Sequence, residues 1–156
     1  MDVPFTADSW TLPPEPAVHL GRDCVRMAGG LSLVAGVELQ DGWLEAELCV
    51  PAERGFPGVA WRVESPDDFE SFFVRPHQVG NPDAIQYTPV SNDISSWQLY
   101  HGPGFWAPVA FPIGDWFAIR TSPLSEFASF EKAAMLSFVR AFASVFLVRL
   151  TIFCLN

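Results

Sequence analysis

Between Trp10 and Thr121 apolar and polar residues alternate over short runs, and Pro, Gly, Asn or Asp interrupts them about every 8 to 12 residues. That rhythm predicts an all-β sandwich, and no segment of this region carries a helical period. Strands are predicted over 9–11, 18–20, 24–27, 31–33, 36–39 and 43–50. The series continues over 59–63, 69–75, 85–89, 97–101, 109–111 and 116–120. The clearest of them is GWLEAELCVP, in which Leu44, Ala46, Leu48 and Val50 face one way and Trp43, Glu45, Glu47 and Cys49 the other. One face is core and the other is wet. In FESFFVRPH, Phe69, Ser71, Phe73 and Arg75 share a face and Glu70, Phe72 and Val74 lie opposite. Aromatics on both faces predict a central strand with one side in the core and the other lining a groove.

After Thr121 the texture changes. SPLSEFASFEKAAMLSFVRAFASVFLVRLTIFCLN has no Gly and, after Pro123, no Pro. Ser125 with Glu126 and Glu131 downstream makes a helix start. Phe127, Phe130, Ala134, Phe138, Ala141 and Val145 recur at three and four, which is helical spacing. The division is therefore a sandwich domain over 1–121 and an apolar, helical segment over 122–156. Residues 133–154 approach the length of a membrane span. Arg140 and Arg149 fall inside that stretch, each costing about 2.5 to 3.5 kcal/mol near the bilayer centre, which favours a helix docked on the sandwich, or a segment with no partner, over a membrane span.

A chain of 156 residues is long enough to bury one core without disulfides or metals. Its formal charge of -9 repels phosphate backbones and excludes nucleic acid as a natural partner. Cys24, Cys49 and Cys154 show no C-x-x-C spacing, so neither a disulfide framework nor a zinc cage is expected, and they read as small buried hydrophobes. MDVPFTADSW has no basic or apolar leader pattern, which predicts a cytoplasmic start.

The candidate chemistry lies on strands and their ends. Glu45 and Glu47 sit at i and i+2 on one wet face, where paired carboxylates would suit glycoside hydrolysis, against the plainer reading of a solvated face. Arg62 and Arg75 stand amid aromatics, and a guanidinium fork suits sugar hydroxyls, carboxylates or carbonyls; the plainer reading is an ion pair with Glu45, Glu47, Glu64 or Glu70. His77 follows Pro76 at a strand end and is a candidate proton carrier, or simply a turn histidine. In HQVGNPDA the two oxygen donors Asn81 and Asp83 fall far short of the six to eight that calcium takes, so no metal or other cofactor is expected and calcium is a minor alternative.

In IQYTPV and WQLYH, joined through a turn at Asn92 and Asp93, the residues Gln86, Tyr87, Gln98, Tyr100 and His101 are the types that line a saccharide groove. Sugars stack their C–H faces on rings and hydrogen-bond laterally to amide, imidazole and guanidinium groups.

The run DGWLEAELCVPAERGFPGVAWRVESPDDFESFFVRPHQVGNPDAIQYTPV, followed by WQLYHG and FPIGDWFAIR, resembles the concanavalin A-like lectin/glucanase superfamily. More narrowly it resembles laminin G-like domains and the 3-keto-disaccharide hydrolases of bacteria. The resemblance covers about residues 5–121 and departs from the pattern beyond Arg120. It implies a two-sheet antiparallel jelly roll whose concave face often binds saccharide. Glucanases of this fold place an acidic triad along one strand, and here the third acid after Glu45 and Glu47 is absent.

Taken together, these readings predict a carbohydrate-binding or carbohydrate-processing sandwich with Arg62, Arg75, His77, Gln86, Tyr87, Gln98, Tyr100 and His101 as its binding residues. One rival is a hydrolase of keto-glycosides, in which His77 or His101 handles protons beside Glu45 or Glu47. Another is a structural or protein-binding laminin G-like domain without a small ligand, marked by an exposed apolar patch.

Overall fold

The computed structural model describes residues 3, 4, 6–11, 15–27, 29–37, 42–121, 135–138 and 146–154. Its strands form two antiparallel sheets. The first has eight strands, running β1 (Trp10–Thr11), β4 (Gly30–Val34), β12 (Met135–Phe138), β6 (Gly58–Ser65), β7 (Asp68–Val74), β8 (Ile85–Ser91) and β10 (Trp106–Ala107), with β9 (Ile94–Ser95) also paired to β8. The second has five, running β11 (Trp116–Thr121), β5 (Gly42–Cys49), β13 (Phe146–Cys154), β3 (Arg22–Met27) and β2 (Glu15–His19).

The predicted alternation decides which residues meet between the sheets. Leu44, Ala46 and Leu48 of β5, Val25 and Met27 of β3 and Ile119 of β11 enter the core from the five-stranded side. Trp10, Val34, Val59, Trp61 and Val74 enter from the other. Leu44 and Leu48 are 1% and 0% exposed, so truncating either to alanine would cost about 2 to 5 kcal/mol through lost burial and the cavity left behind. This is a two-sheet jelly-roll sandwich. Cys24 and Cys49 are free and buried, and burial pushes both thiols up, leaving little thiolate for chemistry.

The described parts of 122–156 correct the helical expectation, because Met135–Phe138 and Phe146–Cys154 are strands. FLVRLTIFC is rich in β-branched and aromatic residues, and tertiary pairing wins over the three-and-four recurrence upstream of it. β13 pairs with β5 from Leu147↔Cys49 to Cys154↔Gly42 and with β3 from Phe146↔Met27 to Val148↔Val25. β12 lies between β4 and β6, with Met135 opposite both Leu33 and Ala60. Each therefore satisfies backbone groups on two flanking strands that would otherwise be open edges. The rest of the predicted helix lies outside the described residues. Among the described residues no helix is long and apolar enough to cross a membrane.

Three predicted strands are not ladders: over 36–39 the described residues Gly36 and Val37 lie in no strand and the other two fall outside the described residues, and the remaining two are irregular. Over 97–101 the chain turns, because the amides of Leu99 and Tyr100 both bond back to the Ser96 carbonyl, at 2.9 and 3.2 Å. Residues 109–111 join no ladder. The turn at Asn92 and Asp93 does form; both residues have positive φ, 51° and 60°, as a tight hairpin between β8 and β9 requires.

Candidate functional site

The second side of β7 turns away from the core, as its pattern predicts: Phe72 and Val74 pack into the core, while Phe73 and Arg75 line a pocket on the outside of the eight-stranded sheet. Opposite Phe73 on the neighbouring strand lies Gly58, where an added Cβ would stand 2.6 Å from the Phe73 Cα and closer still to the Phe72 carbonyl oxygen. No side chain fits there. β6 and β7 are thereby drawn together beneath the pocket.

Beyond β7 the chain makes a short 3-10 turn over Pro76–Gln78, which sets His77 in the pocket wall, and the loop to β8 brings in Asp83. The loop before β6 contributes Arg54 and Phe56, and the segment after β8 contributes Ser95 and Trp97. The pocket is open and has a volume of about 380 Å³, within the range of small-ligand sites.

Arg75 is the centre of the arrangement. It is only 6% exposed, and its guanidinium lies 5.0 Å from the Phe73 ring centroid and 5.8 Å from that of Phe56. Nη1 donates to the Asp83 carbonyl at 2.5 Å and stands 3.5 Å from the Asp83 carboxylate. Nη2 donates to Oε1 of Gln86. Gln86, 1% exposed, turns its amide the other way and donates to the carbonyls of Trp97 and Tyr100 at 2.7 and 2.5 Å. One buried amide thus fixes both the guanidinium and the loop that carries Trp97.

The His77 ring stands edge-on to Phe56 at 5.7 Å, and its Nδ1 is buried without a hydrogen-bond partner. Burial, and then the charges of Arg54 and Arg75, hold its pKa below the ordinary histidine value, so the ring is neutral at pH 7. A buried N–H without an acceptor is costlier than a bare acceptor nitrogen, so the proton is assigned to Nε2. Trp97 remains 47% exposed at the rim.

The remaining predicted residues sit in other settings. Arg62 pairs with Glu70 at 2.7 Å, and Glu70 also accepts from the Tyr87 hydroxyl at 3.1 Å. Burial, then the Glu70 charge, pushes the Tyr87 hydroxyl up, so it stays a donor in this network. Tyr100 packs edge-on against Tyr87 and Phe105, and its carbonyl serves Gln86. Gln98 and His101 are exposed and lie outside the pocket lining, His101 leaning on Trp106 at 5.6 Å.

Glu45 and Glu47 belong to the five-stranded sheet, where they pair with Arg120 and Arg22, each at 2.5 Å. The core separates them from His77. Asn81 donates through Nδ2 to Oε1 of Gln78 at 2.6 Å, and the Asp83 carboxylate stands 3.5 Å from the Arg75 guanidinium.

The pocket thus gathers Arg75 and His77, with Gln86 behind them. Arg54, Phe56 and Trp97 escaped the sequence reading as site residues. The signals were faint: an arginine and an aromatic two apart in a Pro/Gly loop, and a tryptophan in a run whose apolar residues resemble a strand.

No family model and no curated protein matches the sequence. The carbohydrate-binding module CBM66 from Bacillus subtilis is similar in structure, with a TM-score of 0.52 and 12% identity, over 94% of this chain and 92% of that one. That likeness is one of fold, and it places this chain among β-sandwiches of the jelly-roll type.

Proposed function

We propose that the domain recognises a saccharide in the pocket formed by Arg75, His77 and Trp97, without turning it over. The observation that carries this reading is the Arg75 guanidinium, held rigidly on two aromatic rings in the wall of an open pocket beside a half-exposed tryptophan. Such a wall offers fixed lateral donors, and the indole offers a platform for the C–H face of a sugar ring. The similar fold of a carbohydrate-binding module supports the reading by analogy, as does the resemblance to concanavalin A-like domains.

Recognition is favoured over hydrolysis because glycoside cleavage needs two carboxyls flanking one bond, and among the described residues Asp83, already engaged by Arg75, is the single carboxylate of the pocket lining. A keto-glycoside hydrolase would show product release that stops on His77→Gln substitution while binding persists.

A glycan array followed by calorimetry on the full chain tests the proposal. Saturable binding should weaken at least about tenfold in Trp97→Ala, consistent with the loss of one stacked ring, while the unfolding midpoint stays put because the indole is largely outside the core. Absence of binding, or binding unchanged in both Trp97→Ala and Arg75→Lys, would sink it.

A second reading, a protein-binding sandwich, draws on the apolar side chains exposed beside the pocket: Leu99 is 79% exposed, Ile94 68% and Phe105 41%. An empty glycan array would move the weight to that patch.

A further inference from the structure

Arg75 has its counter-ion within the protein. Nη1 stands 3.5 Å from the Asp83 carboxylate, whose charge favours that of the guanidinium, and the His77 ring in the same pocket wall is neutral. What this part of the pocket asks of a ligand is therefore a hydrogen-bond acceptor without a charge.

The donors are on hand. A guanidinium has five N–H groups and no acceptor, and the bonds of Arg75 to the Asp83 carbonyl and to Gln86 use one on each terminal nitrogen. His77 has its Nδ1 buried, so the group it can offer a ligand is the Nε2–H.

Both donors border one apolar surface. The Arg75 guanidinium lies 5.8 Å from the centroid of the half-buried Phe56 ring, and the His77 ring stands edge-on to it at 5.7 Å. Phe73 backs Phe56 edge-on at 5.6 Å. A sugar hydroxyl set there would satisfy a donor but would press its own O–H against the rings, where it loses water and finds no acceptor.

Resting on the saccharide reading above, we propose that the ligand carries an acetamido group, its carbonyl oxygen accepting from Arg75 and His77, its methyl on Phe56 and its sugar ring on Trp97. The amide carbonyl has two lone pairs, one for each donor, and the methyl covers the ring that a hydroxyl would leave bare. The acetamido N–H has an acceptor in Asp83, the single carboxylate among the described residues of the lining. A ligand carboxylate in the same place would set a second anion beside Asp83 and offer Phe56 nothing apolar.

The test is calorimetry on the full chain with matched oligosaccharides of one linkage: N-acetylglucosamine against glucose oligomers, and N-acetylgalactosamine against galactose oligomers. The acetamido member of a pair should bind at least about tenfold more tightly, in keeping with one buried methyl and the carbonyl hydrogen bonds. His77→Phe, which keeps a ring and removes the N–H, should weaken that binding about fivefold. The comparison of sugars on the parent chain decides the matter even where this variant does not fold.

Hydroxyl members bound as tightly as acetamido ones would overturn the proposal and leave the saccharide reading intact. So would tighter binding of a uronate oligomer, or acetamido binding unchanged in a folded His77→Phe protein. Binding to no glycan at all would overturn both.

Discussion

Gln86 offers the sharpest test of how the pocket is held. Replacing it with methionine keeps the length and the apolar stem and removes three hydrogen bonds: one from the Arg75 guanidinium and one each to the carbonyls of Trp97 and Tyr100. A bond to a charged group is worth about 1.5 to 3 kcal/mol and a neutral one about 1. At 1% exposure Gln86 is not readily replaced by water, so the loss comes to about 4 kcal/mol. For a chain of 156 residues that is a fall in Tm of about 8 to 16 °C. Urea unfolding followed by tryptophan fluorescence, together with a thermal scan, reads it directly.

A glutamate at the same position separates the two halves of the network. Gln86→Glu retains an acceptor for Arg75 but loses the donor to the Trp97 and Tyr100 carbonyls, so the guanidinium stays anchored while the rim loop loosens. A Gln86→Met protein within about 0.5 kcal/mol of the parent, the scatter of ordinary surface substitutions, would refute the reasoning.

Two further outcomes follow from the same geometry. Gly58→Ala should destabilise by about 1 to 3 kcal/mol through overpacking and should weaken ligand binding as well, because the displaced backbone carries Phe73; chemical denaturation and calorimetry on one preparation check both. His77 has a folded-state pKa held below its unfolded value, so the unfolded chain binds the extra proton first as pH falls. Its contribution is therefore intact above about pH 6.5 and is lost as pH drops through the folded value, and urea midpoints measured between about pH 7.5 and 4.5 should decline less steeply in His77→Gln than in the parent.

What the sequence disclosed and what it concealed divide along a physical line. Period-two patterning in β5 and β7 is strong because one face of each is sealed against the other sheet, and it correctly separates Phe72 and Val74 from Phe73 and Arg75. The tail misleads because Phe146–Cys154 is paired on both sides by strands more than a hundred residues earlier in part, a long-range fact invisible to any local window. The run at 97–101 misleads for the opposite reason: its apolar residues are not buried in a sheet but are held in a turn by Ser96 and by the Gln86 amide. The pocket draws on loops whose partners are set by the fold, so Arg54 and Trp97 become site residues only once β6, β7 and β8 are side by side.

The position of β13 bears on how the molecule is made. It sits in the interior of its sheet, between β5 and β3, with Phe146 opposite Met27. During synthesis the earlier strands must wait, unclosed, until the chain has been extended through β13. Closure of this sheet thus waits on β13, and in the interval β3 and β5 present open edges to wrong partners, which makes this a long-range pairing of the slow-folding kind.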